Sequence, residues 1–398
     1  MTSTGHELAE ASGFNNFDYR VAGDVRDPYP ELAAMREATP VLEAMGSYVI
    51  SRYEDVTRVL RDGQTFSSSV LKTTMGDVMG NKIILGMDEP EHRRHRALVS
   101  PAFRQSALAR WEESLVNTVV DDLISNFVDR GHAELVHEFT FPFPTKVVAG
   151  VLGLPTSDYL DFQRWAVAIT TANAEMERGL LASRELGAYL MKVVEERRQE
   201  PREDLISDLV QAELDGEQLD DEEILSFLRL LLPAGVETTF RSSGNLLFLL
   251  LSHPDQLAAV RADRSLMPQA IEEALRLEPP LNITSRITSC DTELGGIPVP
   301  ANSQVIPMLG AANRDPDHYP DPDRFDIFRD AHQHISFGTG PHMCLGMHLA
   351  RMETRVAVNA LLDRLPGLRF DPEAVVRDDS HIHGQIFRSP TSLPVIWG

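Results

Sequence analysis

The stretch that most limits how this chain can fold is HISFGTGPHMCLGMHLARMETRV, residues 334–356. It reads as a short extended segment, a glycine-rich loop and then a helix. The helical part has Leu345, Leu349, Met352 and Val356 at spacings of four, three and four, which is one apolar face. The pattern predicts a helix that begins beside Cys344 and packs one side against a core.

Cys344 is placed for a chemical role. Free N–H groups and partial positive charge at a helix N-terminus stabilise a thiolate and predict a lowered pKa. Gly338 and Gly340 let the loop turn tightly around the sulfur, and Gly346 leaves room for a flat group. Such a thiolate is a suitable proximal ligand for a haem iron. A buried structural cysteine is the alternative, but it does not account for the glycines and His342.

The pattern Phe-x-x-Gly-x-His-x-Cys-x-Gly resembles the haem-binding loop of the cytochrome P450 family of haem-thiolate monooxygenases. The matching residues are Phe337, Gly340, His342, Cys344 and Gly346. Gly338 lies within the loop and is also expected to contact the cofactor. The resemblance implies that Cys344 is the axial ligand of a haem b iron. It also implies a mainly α fold with a smaller β-rich lobe, and a haem between a long central helix and the helix after the cysteine loop.

Length and composition favour one large domain. The 398 residues contain no Pro/Gly/Ser-rich linker and no internal repeat. We expect a single domain over residues 1–398, with the β-rich lobe at roughly 20–70, 282–310 and 380–398 and the helical lobe in the remainder. The two cysteines exclude a disulfide scaffold and suit a reducing compartment.

Charge and hydropathy exclude several partners. The net charge of -23 argues against nucleic acid and anionic membranes. The first residues have no basic segment or apolar core, so no signal peptide is expected. The apolar run at 246–251 is far too short to span a bilayer. Since membrane-anchored members of the resembled family begin with a spanning helix, the resemblance implies a soluble, bacterial-type, cytoplasmic member with no membrane anchor.

Residues 220–252 predict a long central helix. Acidic residues at 220–223 complement a helix N-terminus, and the middle is apolar nearly all round, which is typical of a buried helix. Pro233 should bend it, Gly235 should open a groove, and Thr238 should bond the carbonyl four residues back. Glu237 lies in this apolar environment, where a carboxylate is costly without a purpose or a partner.

The segment Ala234-Gly235-Val236-Glu237-Thr238 resembles the family's oxygen-activating Ala-Gly-x-(Glu/Asp)-Thr stretch. The resemblance implies that Ala234 contacts the cofactor, that Thr238 holds dioxygen and a water, and that Glu237 relays protons from solvent. The alternative is that Glu237 reaches an arginine and that Thr238 has no catalytic role.

Two further segments carry cationic candidates. Pro90 marks a helix start, and His92 and Arg96 are four residues apart, so they share a helix face that suits two carboxylates. The resemblance makes them a clamp for the haem propionates, together with Arg286 on a predicted strand. Without the resemblance, a basic helix turn is usually a solvated face.

A structural network is implied as well. Glu273 and Arg276 are three apart on a predicted helix and match the family's Glu-x-x-Arg pair. Arg324, in the segment Pro-Asp-Arg-Phe, matches the arginine that locks with this pair. The resemblance implies a buried ion network that braces the cysteine loop.

The substrate pocket is the least defined part. Residues 67–87 predict a loop with a short helix that roofs the pocket, although ordinary packing on the core is an equal alternative. The candidate contacts from this loop, the helical lid, the strand before Arg286 and the terminal turn are Ile83, Ile84, Leu85, Trp165, Ile169, Leu180, Asn282, Ile283, Thr284, Ile386 and Phe387. They are mostly apolar and favour a terpenoid, steroid, fatty acid or aromatic substrate. Arg388 either pairs with a substrate carboxylate or faces solvent.

These features lead to one functional hypothesis and three alternatives. The hypothesis is a monooxygenase that hydroxylates a C–H bond of a hydrophobic small molecule with dioxygen. Because no flavin or iron–sulfur motif is evident, electrons are expected from a ferredoxin and its reductase, docked at Arg93, Arg96 and Arg351. A peroxide-driven peroxygenase would lack the Glu237-Thr238 pair, and a haem gas sensor would carry an output domain. A purely structural helical protein is the remaining alternative.

Overall fold

The computed structural model describes residues 26–39, 41–44, 46–172, 175–330, 333–372 and 380–398. The prediction that there is no signal peptide concerns residues outside the described ranges. Residues 20–25 of the predicted β-rich lobe also lie outside them. The helices are α1 (Tyr29–Ala38), α2 (Tyr53–Arg61), α3 (Ser69–Met79), α4 (Glu91–Val99), α5 (Gln105–Trp111), α6 (Asn117–Ser125), α7 (Pro142–Val151), α8 (Tyr159–Thr170), α9 (Met176–Gln199), α10 (Leu205–Gln211), α11 (Asp221–Ser252), α12 (Pro254–Ala262), α13 (Met267–Leu277), α14 (Leu309–Ala312) and α15 (Met347–Arg364).

The strands form a larger sheet and three smaller ones. They are β1 (Val41–Ala44), β2 (Ser47–Ile50), β3 (Phe66–Ser67), β4 (His132–Glu134), β5 (Glu213–Leu214), β6 (Glu217–Gln218), β7 (Arg286–Thr288), β8 (Thr292–Leu294), β9 (Ile297–Val299), β10 (Gln304–Pro307), β11 (Arg369–Phe370) and β12 (Pro394–Ile396). The larger sheet has the order β1-β2-β10-β7-β3, so chain segments 41–67 and 286–307 combine in one lobe. The mainly α fold with a smaller β-rich lobe is confirmed.

The C-terminal strand does not join that lobe. β12 pairs antiparallel with β11 and with β4, in a separate three-stranded sheet. Val395 and Trp397 are buried in the core of the helical part, and their burial holds the strand there. The inclusion of 380–398 in the β-rich lobe was therefore wrong for the strand itself.

The central helix organises the helical part. α11 runs without interruption through Pro233 and is buried on nearly all sides, as the sequence predicts. A capping box between Asp220 and Glu223 starts it. It packs against α7, α8, α13 and α15. The predicted open groove at Gly235 was wrong, because a Cβ there would lie 2.9 Å from Val148 Cγ2 of α7. The glycine lets two helices approach closely.

Two further features bear on the site. The segment predicted as a loop with a short helix contains α3, an eleven-residue helix, so it is more ordered than its irregular pattern indicates. Among the described residues, no helix combines the length and the apolar character needed to cross a bilayer.

Candidate functional site

The cysteine loop is a tight turn built on two glycines. Gly338 and Gly340 have φ angles of 68° and 75°, a region that favours glycine. A Cβ on Gly340 would also lie 2.7 Å from Leu60 O, so no other residue fits there without a shift. The loop closes where the Cys344 N–H donates to Phe337 O at 2.8 Å. The glycine requirement inferred from the sequence is confirmed.

The predicted low pKa of Cys344 was wrong for the polypeptide. The helix begins at Met347, three residues later, so the sulfur does not lie at the helix N-terminus. Burial raises the pKa of the Cys344 thiol, and this outweighs a hydrogen bond from the Gly346 N–H and the positive charges of Arg96 and Arg351. The Cys344 side chain would stay a thiolate only if a bound group accepted an electron pair from the sulfur.

The cysteine loop and the central helix line one cleft. Cys344 is solvent-accessible although protein atoms surround it closely. Ala234 is exposed in the middle of the otherwise buried α11. A small cavity has both Thr238 of α11 and Phe337 of the cysteine loop among its lining residues, whereas Cys344 and Ala234 do not line it. A Cβ on Gly346 would meet no atom within 4 Å, so the space beside the cysteine is open, as predicted.

Cationic side chains converge at the edge of this cleft. The His92 ring on α4 and the His342 ring of the cysteine loop have centroids 4.0 Å apart. Burial, together with the nearby His92, Arg286 and Arg96, lowers the pKa of His342 to about 3. The structure therefore brings together residues from three distant segments that were predicted to act at one place.

This cluster suits an anionic ligand. Among the described residues, neither Arg96 nor Arg286 forms an ion pair, although Arg286 is buried. Burial lowers the pKa of Arg286 to about 10, and the Asp88 carboxylate offsets this only in part. A thiol facing open space, with arginines at the rim, fits a haem whose two propionates would lie at Arg96 and Arg286.

The acid and the alcohol of the central helix have different surroundings. Thr238 Oγ1 donates to Ala234 O at 2.7 Å, as predicted. Glu237 is 4% exposed, and its Oε1 accepts from Arg241 Nε at 2.6 Å. Burial raises the pKa of Glu237, whereas Arg241 lowers it. The alternative that Glu237 reaches an arginine therefore describes the observed geometry, and its catalytic role stays a prediction.

Sequence reasoning missed Arg241, although a signal was present. It lies four residues after Glu237, the spacing at which a carboxylate and a cation meet on one helix face. Its guanidinium is buried among groups far away in the sequence, which include Ser389 and the Phe387 ring. Those contacts depend on the tertiary fold and leave no local pattern.

The structural ion network is present with one change of member. Glu273 and Arg276 form a bidentate pair, with Nε–Oε2 at 2.7 Å and an NH2–Oε1 bond of 2.8 Å. The assignment of Arg324 was wrong, because its side chain is exposed and pairs with Asp326. Arg329, five residues later, reaches Glu273 Oε1 at 3.2 Å instead. Arg324 contributes only its carbonyl, to Arg276.

The predicted docking arginines separate into three environments. Arg351 pairs with both oxygens of Glu272 at 2.7 Å and stacks on the Phe337 ring. Burial raises the pKa of Glu272, but hydrogen bonds from Arg351 and His334 outweigh it and lower the pKa to about 2. Arg96 belongs to the cationic cluster in the cleft. Arg93 is the exposed member, at 78% of its side chain.

A second exposed cation beside the cysteine loop was missed. Arg61, the last residue of α2, donates from Nε to Thr339 Oγ1 at 3.1 Å. Its neighbour Leu60 also touches the loop at Gly340. Arg61 therefore ends a helix that contacts the loop, whereas Arg93 lies near the start of α4 beside His92, which contacts the loop at His342. This proximity is a property of the fold rather than of the sequence.

Several predicted substrate contacts were wrong because they are buried in the protein. Ile83 is 0% exposed and belongs to the main core, as do Trp165 and Ile169. Asn282 is buried at a chain junction, where its N–H donates to Ile386 O at 2.7 Å. The predicted contacts that keep exposed surface are Ile84, Leu85, Leu180, Ile283, Thr284, Ile386 and Phe387.

Arg388 follows neither of its two predicted alternatives. It is 1% exposed, and its Nε donates to Glu278 Oε2 at 2.9 Å. Burial lowers the pKa of Arg388, but Glu278 and Tyr29 together raise it by more. The residue is an internal anchor of the terminal segment.

Known proteins share these motifs and this fold. The family model named Cytochrome P450 matches residues 154–378. The putative cytochrome P450 YjiB of Bacillus subtilis is 36% identical over 354 residues, covering 86% of this chain and 88% of that protein. The erythromycin C-12 hydroxylase of Saccharopolyspora erythraea is 38% identical over 380 residues, covering 92% and 94%.

Solved structures agree. The crystal structure of CYP109E1 from Bacillus megaterium in complex with testosterone superimposes with a TM-score of 0.86 at 30% identity, covering 94% of this chain and 99% of that one. CYP109Q5 from Chondromyces apiculatus has a TM-score of 0.84 at 38% identity, covering 94% and 95%. The chain therefore belongs to the cytochrome P450 family and is a haem-dependent, oxygen-incorporating oxidoreductase.

Proposed function

We propose that this protein is a haem b monooxygenase that hydroxylates a C–H bond of a hydrophobic small molecule, with electrons from a ferredoxin and its reductase. One observation carries the proposal. Thr238 of the acid–threonine segment and Phe337 of the cysteine loop both line one small cavity, so the two segments lie beside each other. Oxygen activation needs a ligated metal and a proton route within one site, and the proximity of these two segments supports such a site.

The residues of the cysteine loop, the cationic cluster and α11 would have different roles in this reaction. Cys344 would ligate the haem iron, and Arg96 and Arg286 would pair with its propionates, while His92 and His342, whose pKa values are lowered, would contribute as neutral rings. When bound, the haem supplies the redox chemistry and the activation of dioxygen. Thr238 presents its hydroxyl beside the exposed Ala234, and Glu237 is the ionisable group next to it. The apolar walls of the cleft exclude water.

The substrate class follows from the exposed predicted contacts. The side chains of Ile84, Ile283, Ile386 and Phe387 are apolar. Arg388 is paired with Glu278, so this group of residues does not favour a substrate that carries a carboxylate. Two relatives are named erythromycin C-12 hydroxylase and 6-deoxyerythronolide B hydroxylase. From the apolar contacts of this chain, we propose a hydrophobic small-molecule substrate.

The first test concerns ligation. The purified protein, reduced and exposed to CO, should give the red-shifted Soret band of a thiolate-ligated haem, and Cys344→Ala should abolish that band. Ser289→Ala next to the exposed Cys290 is a surface control that should leave it unchanged. A histidine-type spectrum in the native protein would overturn the assignment.

The second test separates a monooxygenase from a peroxygenase. Thr238→Ala should release more hydrogen peroxide per electron consumed and form several-fold less product, whereas Thr238→Ser should retain coupling. Electrons are supplied by a ferredoxin with its reductase, and product is compared with that from hydrogen peroxide alone. If peroxide alone gives equal turnover and Thr238→Ala has no effect, the peroxygenase alternative replaces the proposal.

The third test concerns ferredoxin docking. Arg61→Glu and Arg93→Glu should each slow reduction by ferredoxin several-fold at low salt, because both are exposed cations near the cysteine loop. Dithionite reduction should be unchanged. Arg351→Glu is unsuitable, since it would oppose Glu272 beside Phe337 and disturb the loop. Arg202→Glu, between α9 and α10, is the matched charge control. Equal slowing in all three variants would contradict a docking role.

A further inference from the structure

The Glu237–Arg241 pair lies between the central helix and the terminal segment. Arg241 is 2% exposed and holds Glu237 Oε1 through Nε at 2.6 Å and through NH2 at 2.5 Å. Its third nitrogen, NH1, donates to Ser389 Oγ at 2.9 Å. The guanidinium also lies 5.4 Å from the centre of the Phe387 ring. One side chain thus connects the acid to two residues of the terminal segment.

That terminal segment is a small hairpin fixed to the same helix. His383 and Ser389 pair through their backbones, which closes the hairpin around the turn at 385–387. One turn of helix beyond Arg241, Asn245 Nδ2 donates to Arg388 O at 3.0 Å. The turn itself carries Ile386 and Phe387, which keep exposed surface and belong to the proposed substrate contacts.

Other charged groups in this region are already engaged. On the hairpin, Arg388 is paired with Glu278, and His383 Nε2 lies 3.2 Å from Thr391 Oγ1. Among the described groups, Arg241 is the one charge that alters the pKa of Glu237, in the direction opposite to burial. The protonation of Glu237 therefore depends on the position of Arg241.

We propose that Arg241 is a positioning residue that holds Glu237 ionised and couples its protonation to the position of the terminal hairpin. The inference rests on the proposed function, since it concerns the acid of that site. A guanidinium stays charged in proteins, so the paired Glu237 keeps its carboxylate. When a substrate displaces Phe387, Arg241 moves with the hairpin, and the buried carboxylate, deprived of its counter-charge, takes up a proton.

The direct test is infrared difference spectroscopy of the haem-loaded protein against pH. Arg241→Met keeps the length of the side chain and removes the charge, so a protonated-carboxyl band should appear at a pH at least ~1 unit higher than in the native protein. The band is assigned to Glu237 by its loss in the double variant Glu237→Gln/Arg241→Met. Arg241→Lys should restore the native titration. An Arg241→Met variant with an intact CO spectrum and a native titration would overturn the proposal.

The coupling to the hairpin needs a milder change. Ser389→Ala removes the NH1 tether but leaves the Glu237 pair, and Phe387→Ala removes the ring that lies against the guanidinium. Both should shift the Glu237 band toward higher pH, by less than Arg241→Met. Thr391→Ala, on the same hairpin but bonded to His383, is the control and should not shift it.

The outcomes separate this inference from the proposed function. If Arg241→Met shifts the band but Ser389→Ala and Phe387→Ala do not, the hairpin has no influence and the coupling is refuted. If the native protein fails to bind haem through Cys344, the proposed function fails, whereas the infrared titration of Glu237 remains measurable. If the native enzyme hydroxylates and Arg241→Met, Ser389→Ala and Phe387→Ala all titrate normally, only the further inference fails.

Discussion

Two buried carboxylic acids on facing helices of the site differ in how the protein accommodates them. Glu237 of α11 is 4% exposed and Glu353 of α15 is 2% exposed. Glu237 has a guanidinium 2.6 Å away. Glu353 has a hydrogen bond from Thr239, while its Oε1 has no hydrogen-bond partner among the described residues. Burial raises the pKa of Glu353 to about 8, although Thr239 lowers it.

The difference teaches that equal burial does not mean equal charge. A carboxylate can enter an apolar core if a cation comes with it, and otherwise it takes up a proton. Burial raises the pKa of both acids; Arg241 opposes this at Glu237, whereas Glu353, with a pKa of about 8, is mostly protonated at neutral pH. The acid with a cation lies next to Thr238, where proton transfer is proposed, and the acid without one lies on the helix that follows Cys344.

The largest expected effect is a contrast in stability between two matched substitutions. Glu237→Gln leaves the Arg241 cation buried without its partner, which should cost ~3–5 kcal/mol. Glu353→Gln removes an acid that must take up a proton on folding at pH 7, so it should not destabilise the protein and should instead stabilise it by roughly 3–4 kcal/mol. Urea unfolding of the haem-loaded proteins, followed by circular dichroism, measures both midpoints. Equal losses would mean that the two acids carry the same charge.

A smaller effect distinguishes the acids by pH. The pKa of Glu353 is about 8 when folded and ~4.3 when unfolded, so the folded state binds more protons between these values. Stability from this group is complete below ~4 and is lost as pH rises to 8, with a slope of at most ~1.4 kcal/mol per pH unit. The native protein should therefore lose stability relative to Glu353→Gln over that interval. A constant difference from pH 5 to 9 would show that Glu353 is already ionised.

The sequence was sufficient where function and structure are local. The cysteine loop, the capping of α11 and the Thr238 back-bond depend on residues within a few positions of one another, and each was predicted. The Glu273–Arg276 pair lies on one helix and was also predicted. Arg329, and not Arg324, reaches Glu273. Both arginines lie in a short irregular segment, and the path of the chain decides which of them points inward.

The sequence was insufficient where partners come from distant segments. Nothing local indicates that Arg388 meets Glu278, or that Ile83 is inside the core rather than on a pocket wall. The low pKa of Cys344 was predicted from a helix start, which lies three residues further on, and the burial of the sulfur, which raises its pKa, has no local pattern in the sequence. Apolar character predicts burial but does not tell a core from a ligand cavity.

The smallest expected effect tests the one hydrogen bond of Glu353. Thr239→Val keeps the shape of the side chain and removes the hydroxyl that lowers the pKa of Glu353. The pKa should rise above 8, so the loss of stability with pH continues further, and at pH 9 the variant should be about 1 kcal/mol less stable than the native protein. At pH 6, where Glu353 is protonated in both, the difference should be smaller. Ser242→Ala removes a hydroxyl that donates to the Thr239 carbonyl at 3.0 Å and is the control without pH dependence. If Thr239→Val costs the same at both pH values, the hydroxyl does not stabilise the ionised carboxylate, and burial alone determines the charge of this second acid.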